Sequence, residues 1–209
     1  LHPFNIMQRS ACGGLDMGSD FDCDNPITAG VNQRLILIDK TVYDRALVTE
    51  DPTTAGLIDS ITLTQVGDAG YSFQGVRKSL NPSSEFIPSS VVSGFGHIVD
   101  FICFDISQEQ KNNIQKMAAG KLVAIIENAN TVGNSNSVFE IYGKGVGLEL
   151  QAGTLRENGS NETGGGYTLS LKTSPDFGQE PKLPASYLVT DYAGTILEIE
   201  TILTPVVTP

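Results

Sequence analysis

The chain has 209 residues, with 24 acidic against 13 basic side chains and a formal net charge of -11. This acid excess excludes a protein that wraps DNA or RNA, because nucleic-acid affinity comes mainly from Lys and Arg contacts to phosphates. At 40% hydrophobic residues the chain can bury a core, and no apolar run approaches the roughly 18 residues that a membrane-spanning helix needs. We therefore expect one acidic globular domain, with or without arms.

Residues 1–33 lack the periodicity of a strand or a helix and are expected to form an N-terminal arm. The arm contains four closely spaced aspartates: Asp16, Asp20, Asp22 and Asp24. Alternating carboxylates form the first part of an EF-hand calcium-binding loop. The sixth position of such a loop would here be Asn25 instead of Gly, and the twelfth would be Val31 instead of Glu. A solvated acidic arm is therefore a better interpretation than a metal module.

The three cysteines, Cys12, Cys23 and Cys103, are too few and too odd in number for a disulfide scaffold. Cys103 lies in an apolar stretch and is expected to be a small buried side chain. A reducing cellular compartment is the default expectation. Whether Cys12 and Cys23 form a disulfide stays open.

After a strand at residues 34–39, the first paired element is predicted over residues 58–75. Residues 60–66 and 71–75 have the composition of strands, and the turn residues Gly67-Asp68-Ala69-Gly70 separate them. The pattern predicts a β-hairpin.

Residues 107–120 form the one convincing helix of the sequence. Ser107 is a good N-cap, Gln110 completes an S-x-x-Q capping box, and Gly120 is expected to supply a left-handed stop. The apolar stripe of this helix consists of Ile114, Met117 and Ala118.

The second half of the chain reads mainly as strands. Residues 122–126 are apolar without a break, which predicts a strand covered on both faces. Residues 138–142, 146–151 and 167–172 alternate between apolar and polar side chains, which is typical of half-buried antiparallel strands.

The C-terminal segment also alternates, with Leu197, Ile199 and Leu203 set against the two acids between them. Because turn residues at 191–194 precede it, we predict a hairpin over residues 187–203. The predicted fold is mainly β: an antiparallel β-sandwich or barrel with one flanking helix and extended arms or hairpins. Its parts are an N-terminal arm (1–33), a β domain (34–186) and a C-terminal hairpin or extension (187–209).

Catalytic motifs are lacking, so we expect no enzyme and no cofactor. His97 has no acid at a recognisable spacing, and a lone histidine is usually structural. The glycine-rich run Gly143-Lys144-Gly145-Val146-Gly147 lies between two strands. It therefore lacks the strand-to-helix context of a phosphate cradle, and close strand packing or a bulge explains it better. Half-polar strands with arms and hairpins favour self-association, which also protects strand edges.

The order of elements from about residue 34 to 175 resembles that of tail tube and related tail structural proteins of tailed bacteriophages, particularly those of Bacteroidetes phages and prophages. Two markers carry the resemblance. One is an aromatic-Gly turn, Tyr142-Gly143, followed by Gly147-Leu148. The other is Gly165-Gly166-Tyr167 before an alternating strand.

The resemblance implies a virion protein without catalytic activity, assembled in the host bacterial cytoplasm. Six copies would close into a ring, and stacked rings would form a conduit through which DNA passes without specific binding. Its partners would be itself and other tail or connector proteins, with no membrane. In that family a hairpin or arm docks on the next subunit, so the candidates here are residues 1–33 and the predicted hairpin. The turn residues of that hairpin are Val66, Gly67, Asp68, Ala69, Gly70 and Tyr71.

A ring of copies that each carry a net charge of -11 would repel passing phosphates and keep DNA from adhering to the wall. The candidates for the lumen are Glu140 and Glu149, on the polar faces of adjacent predicted strands, and Glu198 and Glu200 near the end of the chain. Each of them could equally be an ordinary carboxylate of the outer surface.

Three alternatives stay open. The first keeps the class: a head-to-tail connector or tail-hub ring with the same domain, or a homologous contractile or secretion-system tube. A monomeric adhesin or carbohydrate-binding sandwich is weakened by the low aromatic content of 7% and the lack of Trp. The aspartate-rich metal module is the third.

Overall fold

The computed structural model describes residues 30–76, 78–90, 93–129, 138–153, 155–156, 164–174 and 178–207. These residues contain eleven strands: β1 (Val31–Asp39), β2 (Leu47–Glu50), β3 (Ile58–Thr62), β4 (Tyr71–Gln74), β5 (Leu80–Ile87), β6 (Gly94–Cys103), β7 (Leu122–Asn128), β8 (Phe139–Tyr142), β9 (Glu149–Leu150), β10 (Tyr167–Lys172) and β11 (Ala185–Tyr187). Three helices accompany them: α1 (Lys40–Arg45), α2 (Gln108–Met117) and α3 (Tyr192–Leu203).

The strands form two sheets. The larger sheet has seven strands in the order β2-β3-β11-β8-β7-β1-β4, and the smaller has four in the order β5-β6-β10-β9. Among the named strands the pairing is antiparallel except where β11 meets β3. Neither sheet closes on itself within the described residues, so the mainly β prediction is confirmed in its sandwich form.

Strand β7 is covered on both faces because it lies in the middle of the larger sheet. Ala124 and Ile126 belong to the core that the two sheets share, whereas Val123 and Ile125 belong to the core under α3. All four side chains are 0% exposed. The prediction drawn from the unbroken apolar run at residues 122–126 is therefore confirmed.

The molecule has three layers. On one face of the larger sheet, Leu37 of β1 shares a core with Val99 of β6 and Leu169 of β10. On the other face, Ile36 shares a core with Ile199 of α3. Burial of both faces explains why the middle strands of this sheet contain so few polar residues.

Helix α2 begins where the sequence predicts it. The hydroxyl oxygen of Ser107 accepts a hydrogen bond from the backbone N–H of Gln110 at 3.2 Å. In a capping box the Gln110 side chain would accept from the backbone N–H of Ser107. Here that N–H donates to the carboxylate of Asp105 instead, at 2.8 Å. Ile114 and Met117 are buried in the core between the sheets.

The end of α2 differs from the prediction. Gly120 does not adopt a left-handed backbone, and Ala118 is exposed instead of lying on the buried stripe. The N–H groups of Ala119 and Gly120 donate to the carbonyls of Lys116 and Met117 at 3.1 and 3.4 Å. The chain thus leaves the helix through tight turns, and the expected left-handed stop at Gly120 is wrong.

The predicted C-terminal hairpin over residues 187–203 is also wrong, because most of it is helix α3. The carboxylate of Asp191 caps the helix by accepting from the N–H of Gly194 at 2.7 Å. The buried residues of α3 are Thr195, Ile199 and Ile202, a helical spacing that the alternating pattern concealed. Leu197 is 70% exposed. With the short helix α1, which was not predicted, the described residues contain three helices instead of one.

Candidate functional site

The predicted hairpin over residues 58–75 does not exist in this fold. Strand β3 pairs with β2 and β11, whereas β4 pairs with β1. These two strands lie near opposite ends of the larger sheet. The chain between them is a crossover. It is anchored to the C-terminal segment by two hydrogen bonds of 2.8 Å: the N–H of Gly67 donates to the carbonyl of Val206, and the N–H of Gly70 donates to the carbonyl of Ile202.

The crossover is partly core and partly surface. Asp68 is 4% exposed, and both of its carboxylate oxygens accept from the guanidinium of Arg45. This guanidinium holds the pKa of Asp68 below its ordinary value. Ala69 is buried as well, whereas Val66 and Tyr71 are 63% and 62% exposed. Of these residues, Val66 and Tyr71 have the side chains that another subunit could contact, and such a contact stays a prediction.

A long hairpin does exist elsewhere, and it consists of β5 and β6. These strands pair without interruption from Leu80 opposite Phe101 to Ile87 opposite Gly94. Residues 83–86 are exposed on both faces. Phe86 is 62% exposed and contacts Phe95 edge to face at 5.9 Å between ring centroids.

Among the described strands, none pairs with the outer edge of β5. The N–H of Ile102 donates to the carbonyl of Ser79 at 2.8 Å. In an antiparallel pair bonded and non-bonded positions alternate, so this bond directs the peptide groups of Pro82, Ser84 and Phe86 away from β6. Pro82 removes one donor from this edge. Ser84 and Phe86 keep theirs and can pair with another strand.

Strand β4 forms a second open edge. The N–H of Gly75 donates to the carbonyl of Gln33 at 2.7 Å, which by the same alternation directs the peptide groups of Ser72 and Gln74 away from β1. Among the described residues, no strand pairs with this side of β4.

A groove of about 640 Å³ separates β4 from α2, and we call it the α2 groove. Its floor includes Leu37, Phe73, Met117 and Leu122, and its rim includes Tyr71 and Lys116. Gln110 also lines the groove and is 9% exposed. Its side-chain nitrogen Nε2 is buried and has no hydrogen-bond partner among the described residues.

The four acids predicted to face a lumen do not share one surface. Glu140 lies on β8 and accepts from the hydroxyl of Tyr142 at 2.8 Å. Glu149 lies on β9, in the other sheet, 3.4 Å from the ammonium of Lys121. The expectation that these two lie on adjacent strands is therefore wrong.

Glu198 and Glu200 lie on helix α3 instead of a strand. Glu198 accepts from the backbone N–H of Ile61, and Glu200 forms an ion pair with Arg34 at 2.5 Å. Since Tyr142 and α3 pack into cores on opposite faces of the larger sheet, no single face of a subunit carries all four acids.

The glycine-rich run at residues 143–147 lies between β8 and β9, as predicted. Its backbone nevertheless holds an anion. The N–H groups of Gly145, Val146 and Gly147 donate to the carboxylate of Glu180 at 2.9, 2.7 and 3.3 Å. Glu180 is 2% exposed. The loop is thus a small anion cradle, filled by a side chain of the same protein.

His97 lies beside this cradle and is 1% exposed. Its Nδ1 accepts from the N–H of Gly143 at 3.0 Å, and its Nε2 lies 3.0 Å from the carbonyl oxygen of Lys182, to which it donates. Burial lowers the pKa of His97 despite the nearby carboxylate of Glu180. Both ring nitrogens are occupied, so this histidine holds the loop in place and has no free atom for proton transfer.

The cysteines and the acidic metal module considered from the sequence form no reactive or metal-binding site among the described residues. Cys103 is buried, as predicted, and burial raises the pKa of its thiol. Cys12, Cys23 and the four aspartates of the arm lie outside the described residues. Among the described residues, His, Cys, Asp and Glu side chains form no group of three placed to hold a metal ion.

None of the described helices is long and apolar enough to cross a membrane. No family model matches the chain, and no curated protein or solved structure matches it either.

Proposed function

We propose that the chain is a virion structural protein that self-associates into rings of a bacteriophage tail tube, and that the stacked rings form an acidic conduit for DNA ejection. The markers at residues 142–148 and 165–167 support the family, although the hairpin at residues 58–75 that belongs to the resembling order is not present in this fold. The described sandwich with a helix at its flank is the architecture that this resemblance implies.

The observation that carries self-association is the open outer half of β5. Residues 83–86 are exposed on both faces, and Phe86 is 62% exposed beside a strand edge with which none of the other described strands pairs. Soluble proteins usually protect such an edge because it pairs with any available strand. Pairing or packing with further copies protects it here.

The buried ionisable groups support a structural role over a catalytic one. The Glu180 carboxylate is held by three backbone N–H groups, and both nitrogens of His97 are occupied. A catalytic acid or base needs an atom within reach of a substrate. These two side chains use their atoms to fix the junction between the sheets.

The charge of the chain supports a conduit. Each copy contributes a net charge of -11, so a closed ring accumulates negative charge that opposes adhesion of DNA phosphates. Because Glu140 and the acids of α3 lie on opposite sides of the larger sheet, a lumen would be lined by one of these two groups and not by both.

Light scattering after size exclusion and negative-stain microscopy test the proposal on the full-length protein. We expect rings or tubes with an open centre. Rings that never stack would favour a connector or tail-hub ring. A protein that stays monomeric at high concentration, with no partner required, would contradict self-association, and saccharide binding by that monomer on a glycan array would favour an adhesin.

A further inference from the structure

We infer that two copies of the chain pair through their β5 strands, antiparallel and related by a two-fold axis at Ser84, so that their smaller sheets join into one continuous sheet. The contact uses the outer side of residues 82–86, which we call the β5 edge, and none of the other described strands pairs with it. The inference rests on the proposed self-association and identifies the surface through which copies meet.

The peptide groups of the β5 edge point away from the subunit. On the neighbouring strand β6, the N–H of Phe95 donates to the carbonyl of Glu180 at 2.8 Å, and the carbonyl of Phe95 accepts from the N–H of Glu180 at 2.9 Å. Phe95 therefore turns its peptide groups away from Phe86, which lies opposite it on β5. In an antiparallel pair, opposite residues either bond to each other or both turn away, and the two states alternate. The peptide groups of Phe86, Ser84 and Pro82 thus face outward.

Both ends of this edge are closed to a longer partner strand. The backbone N–H of Leu80 already donates to the side-chain oxygen of Gln33 at 3.1 Å. At the other end, Pro88 follows the last residue of β5 and has no N–H to donate. A partner strand can therefore bond over residues 82–86, which is the length that β5 of a second copy offers.

The bonding pattern of the β5 edge is complementary to itself. Antiparallel pairing centred on Ser84 places Ser84 of one copy opposite Ser84 of the other, and these two residues exchange both of their hydrogen bonds. It also places Phe86 opposite Pro82 of the second copy, where the Phe86 N–H donates to the Pro82 carbonyl. The N–H that Pro82 lacks is then needed only at the outermost ends of the pairing, where water can reach the Phe86 carbonyl.

Pairing around Ser84 also covers the exposed aromatic ring of Phe86. Residues 80, 82, 84 and 86 project from the same face of β5, because side chains alternate along a strand. The larger sheet covers this face at Leu80, which is 5% exposed, but not at Phe86, which is 62% exposed. The antiparallel arrangement sets the covered half of one strand beside the open half of the other. The ring of Phe86 then packs on Pro82 of the second copy and leaves water.

The charge on β5 selects this register. Glu85 projects from the other face of the strand and lies 2.7 Å from the ammonium of Lys172 in its own subunit. A two-fold axis at Glu85 would set two carboxylates directly opposite one another, which destabilises a strand pair. An axis at Ser84 instead sets each Glu85 opposite Ser83 of the other copy and leaves the ion pair with Lys172 intact.

The symmetry of the contact decides what it can build. A two-fold contact uses the same patch on both copies and closes on itself, so it forms a dimer and does not extend into a ring. The rings proposed above therefore close through another surface, and the β5 edge would join subunits of two facing rings.

Proline substitutions at the two open edges test the contact by analytical ultracentrifugation of the full chain. Ser84→Pro removes the outward N–H at the centre of the pairing in both copies, so the dimer should weaken at least about tenfold. Proline is tolerated where a strand N–H faces solvent, so the subunit should stay folded. The matched control is Ser72→Pro, which removes an outward N–H from the edge of β4 and should leave the dimer unchanged. Equal weakening by both substitutions contradicts the inference.

Substitutions at Ser83 test the register through charge and do not depend on proline. Ser83→Lys places an ammonium opposite Glu85 of the other copy, and by symmetry this pair forms twice in each dimer. It should tighten the dimer by roughly two- to thirtyfold, whereas Ser83→Glu should weaken the dimer by a similar factor. Both effects should shrink at high salt. Equal dissociation constants for these two variants overturn the inference.

Hydrogen exchange locates the contact within the chain. The amides of Ser84 and Phe86 should exchange more slowly at protein concentrations well above the dissociation constant of the dimer than well below it, because both N–H groups become bonded. The amide of Ser72 is the control and should exchange equally fast at both concentrations. Protection of Ser84 and Phe86 in the monomer would mean that another part of the same chain covers the β5 edge, and the inference would be wrong.

The outcomes separate this inference from the proposed function. Dimers that Ser84→Pro dissociates, without any rings, support the pairing and contradict the tail tube. Rings that form equally well with Ser84→Pro and with both Ser83 variants support the proposed function and contradict the pairing. If the unsubstituted protein stays monomeric at high concentration, both fail.

Discussion

Strand β7 and the loop at residues 143–147 are fixed by opposite kinds of interaction. Four consecutive side chains of β7 are 0% exposed and apolar, so the strand is stabilised by burial on both faces. The loop is fixed by the carboxylate of Glu180 and the imidazole of His97, which come from distant parts of the chain. The middle of β7 is therefore held by apolar burial, whereas the junction between the sheets depends on polar contacts that include a histidine whose pKa is lowered by burial.

The largest effect is expected at the centre of β7. Ile125→Ala should lower the free energy of unfolding by about 2–5 kcal/mol, because the lost methyl groups leave a cavity that close packing cannot fill. Urea denaturation measures the change. The control Leu197→Ala, at a side chain that is 70% exposed, should stay within about 0.5 kcal/mol. Equal losses in both variants would remove the distinction between core and surface.

The next effect is expected at the cradle. Glu180→Ala leaves three backbone N–H groups without their acceptor, and a buried unsatisfied group costs about 1–3 kcal/mol. Glu200→Ala is the matched control because it removes an exposed carboxylate paired with Arg34, a kind of pair that contributes about 0–1 kcal/mol. A cradle variant as stable as this control would show that the loop does not need its anion.

The junction should also respond to pH. The folded protein holds His97 neutral with a lowered pKa, whereas the unfolded chain binds a proton near pH 6.5. Below that pH the unfolded state takes up a proton that the folded state refuses, so stability falls as pH falls, by at most about 1.4 kcal/mol per pH unit. His97→Gln should remove this part of the slope between pH 7.5 and 5.5 in urea titrations. Parallel slopes for both proteins would contradict it.

The smallest effect is expected after α2. Gly120 has no left-handed backbone, and an added Cβ would lie 3.7 Å from its nearest neighbours. Gly120→Ala should therefore change stability little, or raise it by up to about 1 kcal/mol. Gly143→Ala is the contrast, because Gly143 has a φ of +75° and the added Cβ would lie 2.7 Å from Leu148. That variant should lose at least about 1–2 kcal/mol, as thermal denaturation of both would measure.

The sequence predicted the elements whose signal is local. The apolar run of β7, the cap of α2 at Ser107 and the alternation of β10 all depend on neighbouring residues, and all three are confirmed. Helix α3 was missed because Leu197 and Leu203 imitate a strand, while the buried set at Thr195, Ile199 and Ile202 follows helical spacing.

The candidate site was harder to predict because long-range pairing forms it. Turn residues at 67–70 indicated a hairpin. Strands β3 and β4 instead pair with other strands near opposite ends of the larger sheet, and no local sequence pattern indicates this long-range pairing. The α2 groove likewise joins Leu37, Tyr71 and Gln110, which are far apart in the chain. The burial of Gln110 beside this groove follows only after these elements pack.

The position of β11 in the larger sheet has a consequence for synthesis on the ribosome. This strand is inserted between β3 and β8, and Glu198 of α3 then caps the N–H of Ile61 on β3. Strands β2 and β3 leave the exit tunnel early, yet they cannot join the rest of the sheet until residues 185–198 have followed. In nascent chains interrupted before that point, the paired strands β2 and β3 would not be joined to the rest of the larger sheet. Chaperones and proteases recognise such exposed strands.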